Sequence, residues 1–309
     1  MIIQHNPINW LKQYKSAIKN KTGDQKNLRA DIFQQTVQAV TQKGYHFENE
    51  WIELQGINPD DTIFYENPLP LSPQKTNCET KISVIEADCI ETAALMQKAG
   101  YNPCVLNMAS RQNPGGGVLG GSGAQEENIF RRCNIFLSLY QFVDYCNRYG
   151  IKRNQKFSYP LNRTSGGIYS KNITVFRGSE NNGYCLLKKP FKTSFVSVPA
   201  LNKPELILID GTYYISKPLI EFAKERIRAI LRIAGANQHN CLILSAFGCG
   251  AYQNPPNHVA KLFKEVFNEN EFKNQFQLII FSIIDDYNTW KTHNPNGNVI
   301  PFQREFESN

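Results

Sequence analysis

The stretch Asn107-Met-Ala-Ser-Arg-Gln-Asn-Pro-Gly-Gly-Gly-Val-Leu-Gly-Gly-Ser-Gly-Ala-Gln-Glu-Glu-Asn-Ile-Phe-Arg-Arg132 organises the chain. The apolar run from Pro103 to Leu106 before it reads as a short buried strand. Six glycines follow between Gly115 and Gly123. Gln125-Glu126-Glu127 then opens a helix. Ile129, Phe130, Cys133, Phe136, Leu137 and Tyr140 recur at three- and four-residue spacing, which predicts one helix from Glu126 to about Asn147 with a single apolar face.

A strand, a glycine loop and a helix start form an anion cradle, because glycine lets backbone N–H groups approach a ligand closely and a helix N-terminus favours negative charge. The usual phosphate-loop patterns do not fit. There is no Gly-Lys-Ser/Thr ending, and the glycines are not spaced as in the dinucleotide fingerprint. The unusual feature is the pair of adjacent glutamates. An anion-binding loop gains nothing from two more negative charges, so chemistry is the better reason for them. Without the loop, charge complementarity at a helix start would be reason enough.

Gly-Gly-Gly, seven residues and then Gln-Glu-Glu resembles the signature of poly(ADP-ribose) glycohydrolases. The flanks Val105-Leu-Asn-Met-Ala-Ser110 and Ala246-Phe-Gly-Cys-Gly-Ala-Tyr252 resemble the microbial branch, and the resemblance runs from about Arg29 to Tyr287. It implies a macrodomain fold and hydrolysis of ribose–ribose bonds of poly(ADP-ribose), at chain ends, with ADP-ribose as product. It implies that Glu127 protonates the leaving hydroxyl and then activates water, while Glu126 bonds the ribose. Asn107 would hold a ribose hydroxyl. Gly115, Gly116 and Gly117, with Val118 and Gln125 beside them, would shape the loop around the diphosphate. Asp88 would accept from the adenine amino group, and Tyr252 would close over the ligand. Two other functions share such a pocket: a hydrolase of single ADP-ribose units on proteins, and a non-catalytic ADP-ribose-binding module.

Adjacent residues on a helix point about 100° apart. The two glutamates therefore cannot flank a bond as the carboxyl pair of an ordinary glycosidase does. One should hold ribose hydroxyls while the other reaches the scissile oxygen. A helix start favours the ionised carboxylate. Burial, a like-charged neighbour and substrate phosphates favour the proton. The sequence leaves that balance open.

A second strand, glycine loop and helix follow at Leu242 to Ala246, Phe247-Gly-Cys-Gly-Ala-Tyr252 and Asn257 onward. Two such loops can grip the two phosphates of one ligand. Ser245, Phe247, Gly248, Cys249, Gly250, Ala251 and Tyr252 are the candidate contacts, although the Phe247 ring reads as core. Earlier, a strand at Ile82 to Ile85, a helix from Ile90 to Lys98 closed by Gly100, and the strand Pro103 to Met108 form a parallel βαβ unit. Asp88 then sits at a strand's carboxyl end, where ligands bind in open sheets. A helix N-cap is an equal reading of its residue type. Asp285 and Asp286, after the last strand Phe276 to Ile284, serve either an adenosine or a strand-end cap.

Residues 1–76 read as a mainly helical N-terminal extension packed on a catalytic domain of residues 77–309. The extension has a short helix around Trp10 to Ile18, a second from Arg29 capped by Gly44, a short strand at Trp51 and a loop from Asn58 to Pro73. Gly150 to Lys192 reads as irregular apart from Ile173 to Phe176. Further strands are expected at Phe195 to Val198 and Leu206 to Ile209, a helix from Ile215 to Ala234, and a mobile tail from Lys291. The alternation of strands and helices predicts a three-layer α/β/α sandwich with a mixed sheet.

With 309 residues, 41% of them hydrophobic, the chain can bury a substantial core. The net charge of +7 suits a polyanionic partner. The basic residues are scattered with no run longer than a pair, so no dedicated nucleic-acid face is expected. Eight cysteines form no C-x-x-C pair, and five histidines have no metal spacing, so neither metal nor cofactor is expected. No apolar run is long enough to span a membrane. The N-terminus Met-Ile-Ile-Gln-His-Asn-Pro shows no signal peptide, so a reducing cytoplasm is expected, with signal-independent export left open; a monomer is expected as well.

Overall fold

The computed structural model describes residues 5–70 and 79–307; the expected domain boundary at 76/77 and Cys78 fall outside them. In chain order the elements are α1 (Pro7–Asn20), α2 (Asp24–Thr41), β1 (Gly44–Phe47), β2 (Glu50–Glu53), β3 (Thr62–Tyr65), β4 (Lys81–Glu86), α3 (Cys89–Lys98), β5 (Pro103–Met108), α4 (Gln125–Arg132), α5 (Ile135–Leu139), β6 (Gly167–Arg177), β7 (Leu186–Val198), β8 (Leu206–Ile209), β9 (Thr212–Ile215), α6 (Lys217–Ala236), β10 (Cys241–Leu244), α7 (Pro256–Phe267), β11 (Leu278–Ile283) and α8 (Val299–Phe306). A mixed seven-stranded sheet in the order β3-β6-β7-β5-β10-β11-β4 forms the centre, flanked by helices. Strands β5, β10, β11 and β4 are mutually parallel. The near-continuous apolar sequences of β5, β10 and β11 suit a sheet covered on both faces, whereas β4 is the edge strand and leaves Lys81, Ile85 and Glu86 exposed. Strands β4 and β5 are parallel as expected but are not neighbours, since β10 and β11 lie between them.

The chain divides into two compact units: residues 1–63, 109–160 and 170–194, and residues 64–108, 161–169 and 195–309. In the first unit, the Asn6 side chain caps α1 by accepting from Asn9 N at 2.9 Å. Trp10, Ile32 and Tyr184 form one small core, and Ala39, Tyr45, Leu54 and Phe176 another. Arg29 makes two hydrogen bonds to Glu180, at 2.6 and 2.7 Å, and Tyr14 and Tyr184 donate to the same carboxylate. That paired, hydrogen-bonded setting lowers the Glu180 pKa despite its burial.

Four expectations need correction in this unit. Gly44 does not cap α2: the left-handed residue is Lys43, and Gly44 lies buried in β1, where a Cβ would meet the Trp51 ring at 2.5 Å. The helix from Glu126 stops at Arg132. Cys133 is extended (φ −148°, ψ 172°) and bridges Val175, and Asn134 exchanges hydrogen bonds with Thr174. The apolar spacing reads through this break because Phe130, Cys133, Phe136 and Tyr140 are all buried on either side of it. Residues 150–192 hold all of β6 and half of β7 rather than one short strand. Exposed Lys171 and left-handed Asn172 interrupt the alternation in β6, and Pro190 disguises β7. The Asn58 loop contains β3, whose Thr62 hydroxyl bonds Ser138 at 2.7 Å.

In the second unit the parallel strands bury Leu106, Leu242, Leu244 and Phe281 with Ile230 of α6 and Phe263 of α7. Strands β8 and β9 form a separate antiparallel hairpin, which delays α6 to Lys217. The tail from Lys291, expected to be mobile, packs against the core. It forms α8, whose Phe302 and Phe306 rings each lie 4.9 Å from Phe281. The Asn-Pro-Asn-Gly run before it masked the Val299, Phe302 and Phe306 spacing. Among the described residues no helix is long and apolar enough to cross a membrane.

Candidate active site

Within the first unit, α4 starts after extended Ala124 with no side chain capping it. Glu126 and Glu127 are 4% and 7% exposed. Both carboxylates fold back on the glycine loop. Glu126 Oε2 accepts from Ser110 N at 2.7 Å, and its Oε1 accepts from Gly115 N at 3.0 Å. Glu127 Oε1 accepts from Gly117 N at 2.8 Å. Its Oε2 is buried and has no hydrogen-bond partner among the described residues. The amides of Gly115 and Gly117, expected at a diphosphate, are here donated to the glutamates. Those of Gly116 and Val118 turn inward to Asn113 O and Gly115 O. The loop is thus a mould for two carboxyl groups. It holds Glu126 by both oxygens and Glu127 by one.

Gly116 explains the need for glycine. Its φ is +52°, and a Cβ there would stand 2.5 Å from Glu127 Oε1 and 3.3 Å from Glu126 Oε2. Gly115 has φ +79°, and its Cβ would meet the Phe130 ring at 2.7 Å. Helix α2 backs the far end of the loop: Gly121 lies against the Lys26 carbonyl and Gly123 against the Arg29 guanidinium. Arg131, fully buried, ties these pieces together. Its Nε donates to Arg29 O at 3.1 Å and its Nη2 to Ser122 O. Sequence reasoning missed Ser110, Arg29 and Arg131. The signal for Arg131 was a cation one helical turn after Glu127, between the buried positions Phe130 and Cys133.

Glu126 also faces a tyrosine cluster. The Tyr140 ring lies 5.8 Å from Phe130 and 4.8 Å from Tyr149. Burial pushes the Tyr145 phenol up to about 12, and the charges of Tyr149 and Glu126 add to this. Burial likewise raises Tyr140 and Tyr159, with Glu126 contributing to both. These phenols stay neutral at physiological pH, so the carboxylate sits beside an aromatic, weakly polar wall. The Tyr159 hydroxyl is buried without a partner among the described residues.

In the second unit, the loop after β10 is held by its carbonyls. Asn254 Nδ2 donates to Leu201 O, Gly248 O and Tyr252 O at 2.7, 3.0 and 3.3 Å. Cys249 O is bonded by His293 Nε2 at 2.8 Å and by Asn294 Nδ2 at 3.2 Å. The N–H groups of Phe247, Gly248, Gly250 and Ala251 donate to no acceptor among the described residues. Clamped carbonyls and unoccupied amides make a cradle of donors for an anion. Gly248 has φ +75°, and its Cβ would lie 2.5 Å from the Ala200 Cβ. Ser245, Phe247 and Cys249 are buried, the Phe247 ring packs in the core at 6.3 Å from Phe263, and Tyr252 is half-buried.

Also in the second unit, Asn107 is fully buried on β5 and donates to Ser197 Oγ at 3.0 Å. Asp88 Oδ1 accepts from Ile90 N and Glu91 N at 3.0 and 2.9 Å, so the N-cap role is real. Asp285 and Asp286 hold the following turn by accepting from Asn298 N and Asn288 N. The structure therefore groups Glu126 and Glu127 with Gly115, Gly116, Gly117, Val118 and Gln125 in one unit. It groups residues 245–252 with Asp88 and Asn107 in the other.

Comparison with known proteins gives consistent matches. Residues 33–178 match the family model of the microbial-type PARG catalytic domain. The chain is similar to the crystal structure of poly(ADP-ribose) glycohydrolase from Thermomonospora curvata bound to the inhibitor ADP-HPD, at 25% identity and TM-score 0.69, covering 91% of this chain and 100% of that one. It is also similar to poly(ADP-ribose) glycohydrolase from Deinococcus radiodurans in complex with ADP-ribose, at 27% identity and TM-score 0.59, covering 77% of this chain and 88% of that one. No curated protein sequence matches.

Proposed function

We propose, from a chain whose residues 33–178 belong to the microbial-type PARG catalytic domain, that the protein is a poly(ADP-ribose) glycohydrolase. It hydrolyses ribose–ribose O-glycosidic bonds and releases ADP-ribose from chain ends. The observation that carries this reading is the unequal holding of the two glutamates. Glu126 is fixed through both oxygens, while Glu127 keeps one buried oxygen uncommitted.

In this mechanism Glu127 Oε2 carries the proton. It passes the proton to the bridging oxygen as the glycosidic bond breaks, and the bonding electrons leave with that oxygen as a hydroxyl on the departing chain. The ribose becomes oxocarbenium-like at C1. Water adds there and returns a proton to Glu127, which restores the acid. Glu126, held by two N–H groups, accepts from ribose hydroxyls and sets the sugar's orientation. The amides of Phe247, Gly248, Gly250 and Ala251 are proposed to hold a pyrophosphate, with Tyr252 over the nucleotide, Asn107 on a ribose hydroxyl and Asp88 on the adenine amino group.

Domain roles follow the same reading: residues 1–76 support a catalytic domain of residues 77–309. The seven described cysteines are free thiols and six of them are buried, which suits a reducing cytoplasm.

The test is incubation with automodified polymer. Wild type should release free ADP-ribose, and Glu127→Gln should lose release by ~10³-fold or more while still binding polymer. Binding without release by wild type would leave a reader module. Release only from singly modified proteins would make it a mono-ADP-ribosyl hydrolase.

A further inference from the structure

The basic residues look scattered along the sequence, but the fold gathers them. The unit that carries the glutamates holds 19 Lys and Arg against 11 Asp and Glu, while the rest of the chain holds 15 against 16. The chain's excess positive charge thus lies in the first unit. Several of its arginines are consumed internally, since Arg29, Arg131, Arg132 and Arg177 are buried. Part of the exposed share lies on and between the first two helices.

Helix α1 carries Lys12, Lys15 and Lys19 and no acidic residue, and Lys21 and Lys26 follow with only Asp24 between them. All five lysines are exposed, and none has a carboxylate partner among the described residues. Lys188, Lys224 and Lys264, by contrast, each pair with a glutamate. Lys12, Lys15 and Lys19 share one side of α1, and like charges at this spacing cost helix stability. Beside them runs an open groove of about 490 Å³, lined by Asn9, Gln13, Ser16, Asn20 and Thr22 as well as Lys12, with Asp24 as the one carboxylate on its wall. Amides, hydroxyls and an ammonium are donors that suit phosphate and sugar oxygens and would poorly serve an apolar partner. Leu28 closes the groove, while Lys26 and Arg29 on the same turn of α2 back Gly121 and Gly123 of the catalytic loop. The groove and the loop therefore lie on two sides of one helix, about 10–12 Å across.

We propose that the lysine face of α1, with the polar groove beside it, is an outlying site for the polyanionic chain of the substrate, binding the pyrophosphates of ADP-ribose units beyond the one being cleaved. The proposal rests on the poly(ADP-ribose) reading above. It gives the cationic helix a role that neither folding nor the cleavage step supplies. It also makes affinity depend on chain length.

The experiment compares wild type with the triple variant Lys12→Gln, Lys15→Gln, Lys19→Gln, and with the corresponding triple arginine variant. ADP-ribose release is measured on polymer of roughly twenty units and on a two-unit oligomer, across a salt series. The glutamine variant should raise KM on long polymer roughly tenfold with kcat unchanged, and flatten the dependence of log affinity on log salt by about 2. KM on the oligomer should not move, and the arginine variant should behave as wild type. An equal effect on both substrates, or no effect on either, would overturn the groove. Failure of the enzyme reading looks different, because wild type would then release nothing from either substrate. Capture on immobilised polymer still decides the groove in that case: length-dependent binding lost in the glutamine variant supports it, and unchanged binding overturns it.

Discussion

Placing a single methyl group in the carboxylate mould tests the proposed mechanism directly. In Gly116→Ala the new Cβ would stand 2.5 Å from Glu127 Oε1, against an ordinary contact of 3.4 Å or more. The carboxylate must therefore retreat by about 0.9 Å, and a misplacement of that size costs roughly 100-fold in rate. The left-handed φ adds a stability cost of about 1–2 kcal/mol for any residue with a Cβ. Gly150→Ala separates the two effects. It lies in the same unit with φ +67°, and nothing stands within 4 Å of its Cβ. Both variants should lose similar thermal stability, but only Gly116→Ala should lose kcat for ADP-ribose release, with KM on polymer nearly unchanged. If Gly116→Ala keeps kcat within about threefold of Gly150→Ala, the loop does not position Glu127 and the proposed mechanism fails.

Three further outcomes follow from the same geometry. Gly248→Ala crowds Ala200 and the Asn254 amide that clamps the second loop, so it should raise KM by roughly tenfold and leave kcat within a fewfold, as read by initial rates over a substrate series. Glu126→Gln replaces one of two oxygens that accept backbone N–H groups, so it should lower denaturant stability by about 2 kcal/mol; Glu127→Gln, with one such bond, should cost less and can even be neutral. Burial, reinforced by the Arg177 charge, holds the His5 imidazole down from 6.5 to about 4. The folded state therefore keeps His5 neutral where the unfolded chain protonates it. Its contribution is complete above pH 6.5 and is lost as pH falls from 6.5 to about 4, so His5→Gln should flatten the fall in Tm across that window.

How much of this could be read from the chain depends on how local each interaction is. The glycine loop, the glutamate pair and the parallel strands are legible because their signals are short and periodic. The break at Cys133 is not, because it is made by Val175 and Thr174, some forty residues away, pairing with a segment whose apolar spacing is uninterrupted. Strand β7 is hidden by Pro190, and α8 by the turn-forming residues ahead of it. The destination of the Gly115 and Gly117 amides was also invisible. Sequence shows that a glycine amide is approachable, and only the fold shows that the glutamates ten and eleven residues later approach it first. The Phe247 ring was read correctly as core.

The support beneath the glycine loop sets where the chain can be shortened. The family match begins at residue 33, inside α2. Lys26 and Arg29 precede that point, yet they meet Gly121 and Gly123, and the Arg29 carbonyl anchors Arg131. A recombinant fragment trimmed to the matched boundary would retain every acidic side chain assigned to cleavage. It would remove the surface on which their loop is seated, and leave a buried guanidinium short of an acceptor. Domain-based trimming would then yield an intact catalytic sequence with a collapsed mould, and the defect would be mistaken for a missing residue of the active site.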